Sequence, residues 1–515
     1  MPRQDVEVNV TGKINRRDPI DELATGEVNT RENLMVIGVG NNKTLKKVPG
    51  SNRLTDGDIT GKYTWAGRYY DGQTAKTFAY NQTLGKMYHI APSGAETVVL
   101  PSLTTLAYPA AETMKVGSYN KMYVAVGASG MFSHDGNNGH TMEAESDVTL
   151  DFVGMVSHLD RMWGFEEDSE DLYFSKNLTP TNFTDTDDAG TITIGAKRGA
   201  KIMQIALLNE VLYIFKEDSI WVLQERTPNT FRVREVHPNL GVAARRSVQN
   251  VESGIIFLGS DYEFYFFGGT LASTQLLSYN VVMGGDYTKD LEPIINKNTA
   301  RIEQVCSAFH DHTYRCSFVE SGQNDNDLEY VYNTVNQTEW FTRGNKVSCY
   351  VVYDKIPDKQ ELVTGRSDAG LLMLQHEGLN YDNGATSPVM SVRLKTAAIG
   401  KNIRNKRFFK VWGDFQVLGA EPLKLFYKVD TRLSDADRVT EEMAIQGETK
   451  SPITAIKISN QFSITSRAIL KMGSSRGQSI SFEIDDRSKD LDFSFSRIWV
   501  EVVVRDKKRS KHVGV

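Results

Sequence analysis

Cysteine is scarce in this chain: Cys306, Cys316 and Cys349 are the only three in 515 residues. So few, and odd in number, they build no disulfide framework. Reduced, buried thiols in a protein made in a cytoplasm are the expectation. Long apolar runs are also missing. The richest stretches, Phe257-Leu258 and Tyr262 to Phe267, are interrupted by Gly and Asp, well short of the roughly 18 residues a membrane span requires. The opening Met1-Pro2-Arg3-Gln4-Asp5 has no apolar core of the kind a secretory leader carries. A soluble chain without a membrane span is expected. An excess of positive charge is lacking too: 59 Lys and Arg face 65 Asp and Glu, a net charge of -6. That argues against a general nucleic-acid coat held by phosphate neutralisation.

What the chain has is ordinary globular composition, 40% hydrophobic and 24% charged, and length for two to four domains of about 100–200 residues each. It also has a repeat. Met114 and Val116, a turn at Ser118-Tyr119-Asn120, then Lys121-Met122-Tyr123-Val124-Ala125-Val126 form a strand–turn–strand unit, and Gly127 to Gly130 leads on to Met131-Phe132. The pattern recurs at Phe78 to Ile90, Met155 to Phe174 and Ile202 to Leu223, and in looser form at Val305 to Phe318 and Glu361 to Leu374. One large apolar residue anchors each unit: Tyr88, Tyr123, Trp163, Tyr213, Phe257, Tyr314 and Leu362, at separations of 35 to 57 residues. Propeller blades repeat at about 40–50 residues. A hairpin unit cannot bury both faces alone, whereas radial stacking buries both and leaves only short edges. An all-β fold with a β-propeller of six or seven irregular blades is therefore expected over residues 61–376; a large irregular β-sandwich is the competing architecture.

Residues 1–60 read as an extended segment that completes or docks the propeller, with Val6, Val8 and Val10 alternating as a short strand. Residues 377–388, rich in Gly, Asn and Ser, read as a linker. Residues 389–515 alternate clearly at Val392 to Thr396, Arg407 to Phe415, Leu423 to Val429, Ser479 to Ile484 and Ile498 to Val504, the pattern of a C-terminal antiparallel β-sandwich. A short helix is expected within Asp435 to Gln446.

Candidate chemistry is thin. Gly57-Asp58-Ile59-Thr60-Gly61-Lys62-Tyr63 has glycines too close for a phosphate loop, and Tyr63 stands where a magnesium-holding Ser or Thr belongs. His310-Asp311-His312 puts two imidazoles on one short stretch near Cys306 and Cys316, but zinc needs further ligands, and the segment reads as a polar hairpin turn. Glu166 to Asp171 and Asp185 to Asp188 are acidic loops without the calcium-loop spacing. Ser133-His134-Asp135-Gly136 matches part of a sialidase-type Asp box, once and without the following Thr-Trp. No Gly-x-Ser-x-Gly elbow occurs, and no carboxylate pair stands out. Lys507-Lys508-Arg509 and Lys511 form a basic tail that reads as solvated. No catalytic, cofactor-binding or metal residue is assigned; the expectation is a protein that is not an enzyme and holds no cofactor.

Three N-terminal stretches and two C-terminal strands carry a family resemblance. Val8-Asn9-Val10-Thr11-Gly12-Lys13-Ile14-Asn15-Arg16-Arg17-Asp18-Pro19 resembles the Gly–Asn–Arg–Pro opening of the tail hub proteins of short-tailed bacteriophages, variously called nozzle proteins, tail tubular protein B or packaged-DNA stabilisation proteins. Glu27-Val28-Asn29-Thr30-Arg31-Glu32-Asn33 resembles that family's Glu-to-Asn stretch. Leu45-Lys46-Lys47-Val48-Pro49-Gly50 resembles its closing turn, with Val48 where a basic residue is usual. The strands Ser479 to Ile484 and Phe495 to Val502 resemble its final sandwich. The resemblance implies a structural virion protein, made in the host bacterial cytoplasm and located in the virion tail. Such a subunit forms a homohexameric ring below the portal and its adaptor ring, meets tail fibres or tail needle and tip proteins, and lines a channel that retains and then releases packaged double-stranded DNA. The acidic balance suits a lumen that DNA slides through. The alternatives are a polysaccharide-degrading propeller enzyme and a receptor-binding tail protein. Adaptor docking is expected of residues 1–50 or of the C-terminal sandwich, both outside the repeat.

If the repeated aromatics wedge one blade against the next, Tyr123→Ala lowers unfolding free energy by about 3–5 kcal/mol in equilibrium denaturation; an unaffected variant would undo the blade assignment.

Overall fold

Short apolar–polar segments must find partners for their backbone groups as well as for their apolar faces. In the computed structural model of this chain most of them do so in four-stranded antiparallel sheets. The structure describes residues 3–8, 10, 13–14, 27–38, 43–48, 50–55, 59–70, 75–105, 108–136, 139, 141–195, 199–227, 230–277, 279–281, 287–289, 294–356, 359–375, 392–396, 406–418, 423–429, 441–445, 464–477, 480–486 and 492–504. The linker 377–388 and the basic tail at Lys507 to Lys511 lie outside the described residues, as does most of the run from Gly12 to Pro19.

Six four-stranded sheets, with the first four strands of a ten-stranded sheet, make seven blades. Five run consecutively, at residues 63–100, 110–144, 152–193, 202–237 and 249–276. The sixth spans residues 306–343. The seventh begins with Val347–Ile356, Lys359–Arg366 and Leu372–Gln375. Its fourth strand comes from the other end of the chain: Ser51–Arg53 pairs antiparallel with Met373 to Gln375. The fold is all-β and propeller-like, and the ring is closed by this one borrowed strand.

The anchors fall one to a blade, all buried. Six occupy the second strand of their blade, while Tyr88 lies in a third strand, where Phe78 and Tyr80 precede it in the second. Distinct apolar clusters fill the seams. Phe78, Tyr80 and Met87 of blade one meet Met122 and Val124 of blade two. Tyr123 and Met131 of blade two meet Phe152 and Met162 of blade three. Trp163 and Phe165 of blade three meet Ile205 and Ile214 of blade four. Phe215 of blade four packs on Phe257 of blade five at 5.4 Å between ring centroids. Phe264 of blade five stacks on Tyr330 of blade six at 4.4 Å, with the rings nearly parallel. Cys306 and Leu362 join blades six and seven, and Tyr63 and Val363 join seven to one.

Turn chemistry sets register inside the blades. Leu159-Asp160, Asn209-Glu210 and Asp311-His312 all hold left-handed backbone and close two-residue hairpins between first and second strands, the geometry that matches strand twist. The blade-two hairpin differs from expectation. Its strands are Ala110–Val116 and Tyr119–Ala125, so the turn is Gly117-Ser118 rather than Ser118-Tyr119-Asn120. Gly117 takes φ +63 with open space around it, which fits a glycine and releases Tyr119 and Asn120 to the ladder.

Outside the ring, strands from both chain ends share two sheets. One orders Leu34–Ile37, Thr44–Lys47, Asp492–Val504, Lys406–Leu418 and Ile464–Gly477, with Gln4–Val8 also paired to Asp492–Val504. The other continues from blade six through Glu27–Glu32, Val392–Thr396, Ile480–Asp486, Leu423–Val429 and Glu441–Ile445. Of the segment Asp435 to Gln446, where a short helix is expected, residues 435–440 and 446 lie outside the described residues, and Glu441–Ile445 is a strand that pairs antiparallel with Leu423 to Tyr427. A five-residue stretch gains little as a helix on its own, whereas a free sheet edge supplies hydrogen-bond partners at once. Ile464–Gly477 was not read from the sequence; its Ala468-Ile469-Leu470 run breaks alternation.

Closure should be a point of vulnerability. The Leu54 N–H donates to the Leu372 carbonyl at 2.8 Å. Leu54→Pro removes that donor, and we expect a loss of about 3 kcal/mol in thermal or denaturant unfolding, with early proteolytic cleavage near the seam. A variant as stable as the parent would show that the strand is dispensable to closure.

Candidate functional site

In each blade the first strand faces the axis, and first strands of successive blades stand side by side from blade two round to blade one. They enclose a cavity of about 280 Å³ whose lining includes Ala66, Ala111, Gly154, Gln204, Gln249 and Ser307, one from each of blades one to six, with Tyr350 from blade seven. The loops that lead into first strands, and those between second and third strands, gather at one face. There a cleft of about 310 Å³ opens beside the axis, lined among others by Glu167, Lys201, Arg245, Arg246, Tyr262 and Glu303.

Arg246 fills the axial mouth. It belongs to a short 3-10 turn, Arg245–Ser247, just before the first strand of blade five. Its guanidinium donates to the Thr64 carbonyl at 2.8 Å, to the Ser348 carbonyl at 3.4 Å, and to the carbonyls of Glu303 and Gln304 at 3.3 and 3.0 Å. It also lies over the Tyr108 ring at 4.2 Å, a favourable cation–π distance. Its own carbonyl accepts from Ser307 Oγ at 2.6 Å. One side chain from blade five thus ties blades one, seven and six. Beside it, burial pushes the thiols of Cys306 and Cys349 up to about 12, so both remain protonated near neutrality. All three cysteines are free.

The acidic loops point at cations of the same chain. Glu167 pairs with Arg245 and Asp168 with Lys201. Glu170 lies 3.6 Å from the fully buried Lys216, which also donates to the Ile194 carbonyl at 2.6 Å. Glu166 accepts from Tyr173 Oη at 3.0 Å. Asp185 holds Lys176 at 2.8 Å and Asp188 holds Arg161. Such pairs fix loop geometry and leave these carboxylates engaged.

The other sequence candidates are scattered. His310 ends a strand and His312 sits in the exposed turn, paired with Glu252, whose other oxygen accepts from Thr334 Oγ1 at 2.8 Å. Among the described residues no cluster of three or more His, Cys, Asp or Glu is placed to hold a metal ion. Ser133 and His134 are both buried; the His134 ring lies at the seam of blades one and two, where it meets Tyr69 at 4.9 Å and Phe78 at 5.1 Å. Tyr63 leaves the would-be phosphate loop as the start of a strand, its Oη donating to Glu96 at 2.6 Å.

A second polar constellation lies where blade six meets the outer sheets. Arg31, Glu32, Asn33 and Lys47 are all buried. Glu32 bridges in parallel to Phe341. The Asn33 N–H donates to the Phe341 carbonyl at 2.7 Å. Its side-chain amide donates to the Arg343 carbonyl at 3.1 Å and accepts from the Arg343 N–H at 2.8 Å. Arg343 pairs with Glu32 at 3.3 Å and with Glu320 at 2.8 Å. Arg31 donates to the Glu339 carbonyl, and burial lowers its guanidinium to about 10 against the pull of Glu339. Sequence reading singled out neither Arg246 nor Arg343 because their partners are mostly backbone carbonyls and carboxylates far along the chain.

The fold and this mouth define the class: a seven-bladed β-propeller with an appended β-module built from both chain ends. No protein-family model matches the chain, and no curated protein matches it. Among solved structures it is similar to Chaetomium thermophilum Raptor, at 8% identity and TM-score 0.44 over 64% of this chain and 29% of that one. It is similar to virginiamycin B lyase from Staphylococcus aureus, at 12% identity and TM-score 0.36 over 63% and 97%. It is also similar to a computationally designed protein, at 9% identity and TM-score 0.37 over 71% and 99%. Likenesses this distant carry nothing about activity.

Arg246→Met keeps the bulk and removes the donors. It should cost about 2–4 kcal/mol, since hydrogen bonds to a charged group contribute about 1.5–3 kcal/mol each and the vacated carbonyls are only partly rehydrated. Urea unfolding measures this; a change under about 0.5 kcal/mol would show that the mouth does not need its arginine.

Proposed function

We propose that this chain is a structural subunit of the tail of a short-tailed bacteriophage, one member of a nozzle or hub ring that sits below the portal and its adaptor. In this reading six copies form the ring, the adaptor and the tail fibres or tip proteins are its neighbours, and packaged DNA passes through it without sequence-specific contact.

The observation that carries the reading is where the resembling residues fall. Arg31, Glu32 and Asn33 of the second stretch, and Lys47 and Val48 of the third, are buried at the joint between propeller and outer sheets. The Val48 N–H donates to the Asn33 carbonyl at 2.9 Å, joining the two stretches. Residues of the resembling stretches thus serve architecture in this chain. The propeller axis is not the DNA passage in this reading, because Arg246 and its carbonyl partners close its mouth; the passage runs between subunits. Residues 1–50 and the C-terminal sandwich, the two expected docking segments, share sheets, so they present one docking surface. The enzyme alternative asks for free carboxylates facing an open cleft, and Glu167 and Asp168 at the mouth are held by Arg245 and Lys201.

Native mass spectrometry and electron microscopy of the purified full chain test the reading. A ring of six copies of the 57.7 kDa chain that binds an adaptor ring is the expected result. A monomer that cleaves a bacterial polysaccharide would overturn it.

A further inference from the structure

Among the described residues, Lys62 near the axial face has no ion-pair partner. Lys62 leads into the first strand of blade one, two residues before the carbonyl that Arg246 holds. It is half-buried, and among the described residues its ammonium makes no hydrogen bond and no ion pair. Burial holds it below the usual lysine range; Asp325 acts against that shift and Arg246 and Arg301 act with it. A half-buried cation without a partner is costly. Arg245, Lys201 and Lys346 of this face each hold a carboxylate.

Lys62 lines a cleft of about 540 Å³ at the closing seam of the ring, between the blade-one lead-in and the loop Ser367 to Gly370 of blade seven. The two sides are held together by the Ile59–Gly370 bridge. Around Lys62 the cleft carries the hydroxyl residues Thr60, Thr83 and Ser367. Ser367 is itself about nine-tenths buried, and its Oγ has no hydrogen-bond partner among the described residues. The carboxylate on this wall, Asp368, is already held by Lys346 at 3.0 Å and Arg366 at 2.8 Å, so it does not neutralise Lys62. Gly61 takes φ +99, and a Cβ there would collide with the Thr83 side chain, so the backbone beside Lys62 is shaped around Thr83.

We infer that this seam cleft binds a small oxyanion, with the Lys62 ammonium as its charge partner and the hydroxyls of Thr60, Thr83 and Ser367 as its neutral partners. It is not a phosphate loop, since Lys62 leads directly into a strand rather than a helix. The shared chemistry is a compact group with two or more charged oxygens, found on a phosphate and on the carboxylate of an acidic sugar. Because the cleft spans the two blades that close the ring, bound anion stabilises the closed state by linkage. The inference is independent of the ring reading above.

Calorimetric titration and thermal unfolding of the full chain test it, with sodium phosphate and sodium glucuronate each compared with sodium chloride at equal ionic strength. Saturable binding and a matching rise in Tm are expected for at least one anion. Lys62→Gln should weaken that binding about tenfold or more, the scale of a lost charged hydrogen bond, and Thr83→Val should weaken it less. Without added anion, Lys62→Gln should leave Tm unchanged or raised, because it removes an uncompensated charge. Glucuronate alone binding identifies an acidic sugar; phosphate binding as well identifies a general oxyanion site. The inference is overturned if neither anion exceeds chloride, if Lys62→Gln binds like the parent, or if Lys62→Gln lowers Tm in chloride, which would make Lys62 a structural residue.

Discussion

The structure depends on the fact that a four-stranded sheet with apolar residues on both faces has no stable existence alone. Each blade here carries such a sheet; six of the seven seams are separate apolar clusters, and the seam of blades five and six merges with the core of the outer module. Burial of one face therefore requires the next blade, and the requirement ends only when the last blade meets the first. Ser51–Arg53 satisfies it by crossing from the N-terminal side to the edge of blade seven. Leu54, Thr55 and Ile59 continue the contact into the blade-one lead-in. The ring thus uses residues more than 300 positions apart to complete one sheet.

That crossing also explains the outer module. Once residues 51–53 are committed to blade seven, the strands before them lie near the chain that leaves the same blade, and the two ends pair with each other. Asp492–Val504 is flanked by Gln4–Val8, Thr44–Lys47 and Lys406–Leu418. The apolar core follows: Val8, Leu34, Leu45, Phe495, Ile498 and Val500 share a cluster with Phe264, Tyr314, Tyr330 and Phe341 of blades five and six. Within that core the buried Arg31 donates to the Glu339 carbonyl, and the buried Glu32 pairs with the partly exposed Arg343, as a polar group in an apolar joint requires. Charge here fixes register and orientation between the two sheet systems.

At the axial face the same rule operates with less burial. Arg246 donates to carbonyls from three other blades, and the Glu166 to Asp171 loop of blade three meets cations of blades four and five. The face is consequently a mosaic of engaged charges around a filled axis. Lys62, at the seam, departs from that pattern.

The sequence by itself determined the all-β class, the repeat and most strand positions, because apolar alternation and the Gly, Asn and Asp turns are local signals. Seven anchor residues, read as one per unit, fall one to a blade. The sequence also determined a hairpin turn within His310-Asp311-His312; the turn is Asp311-His312, whose left-handed backbone suits a two-residue hairpin, and His310 ends the strand before it. It did not decide which strand closes the ring, that Glu27–Glu32 would extend blade six, or that Glu441–Ile445 would join an edge as strand. Those outcomes depend on which edges are left open after local pairing, a property of the assembled sheets. The candidate site was the least legible part. Arg246 and Lys62 look alike in the chain; only the tertiary structure gives the first a set of carbonyls and leaves the second in a half-buried cleft, because the difference lies in partners brought from distant blades.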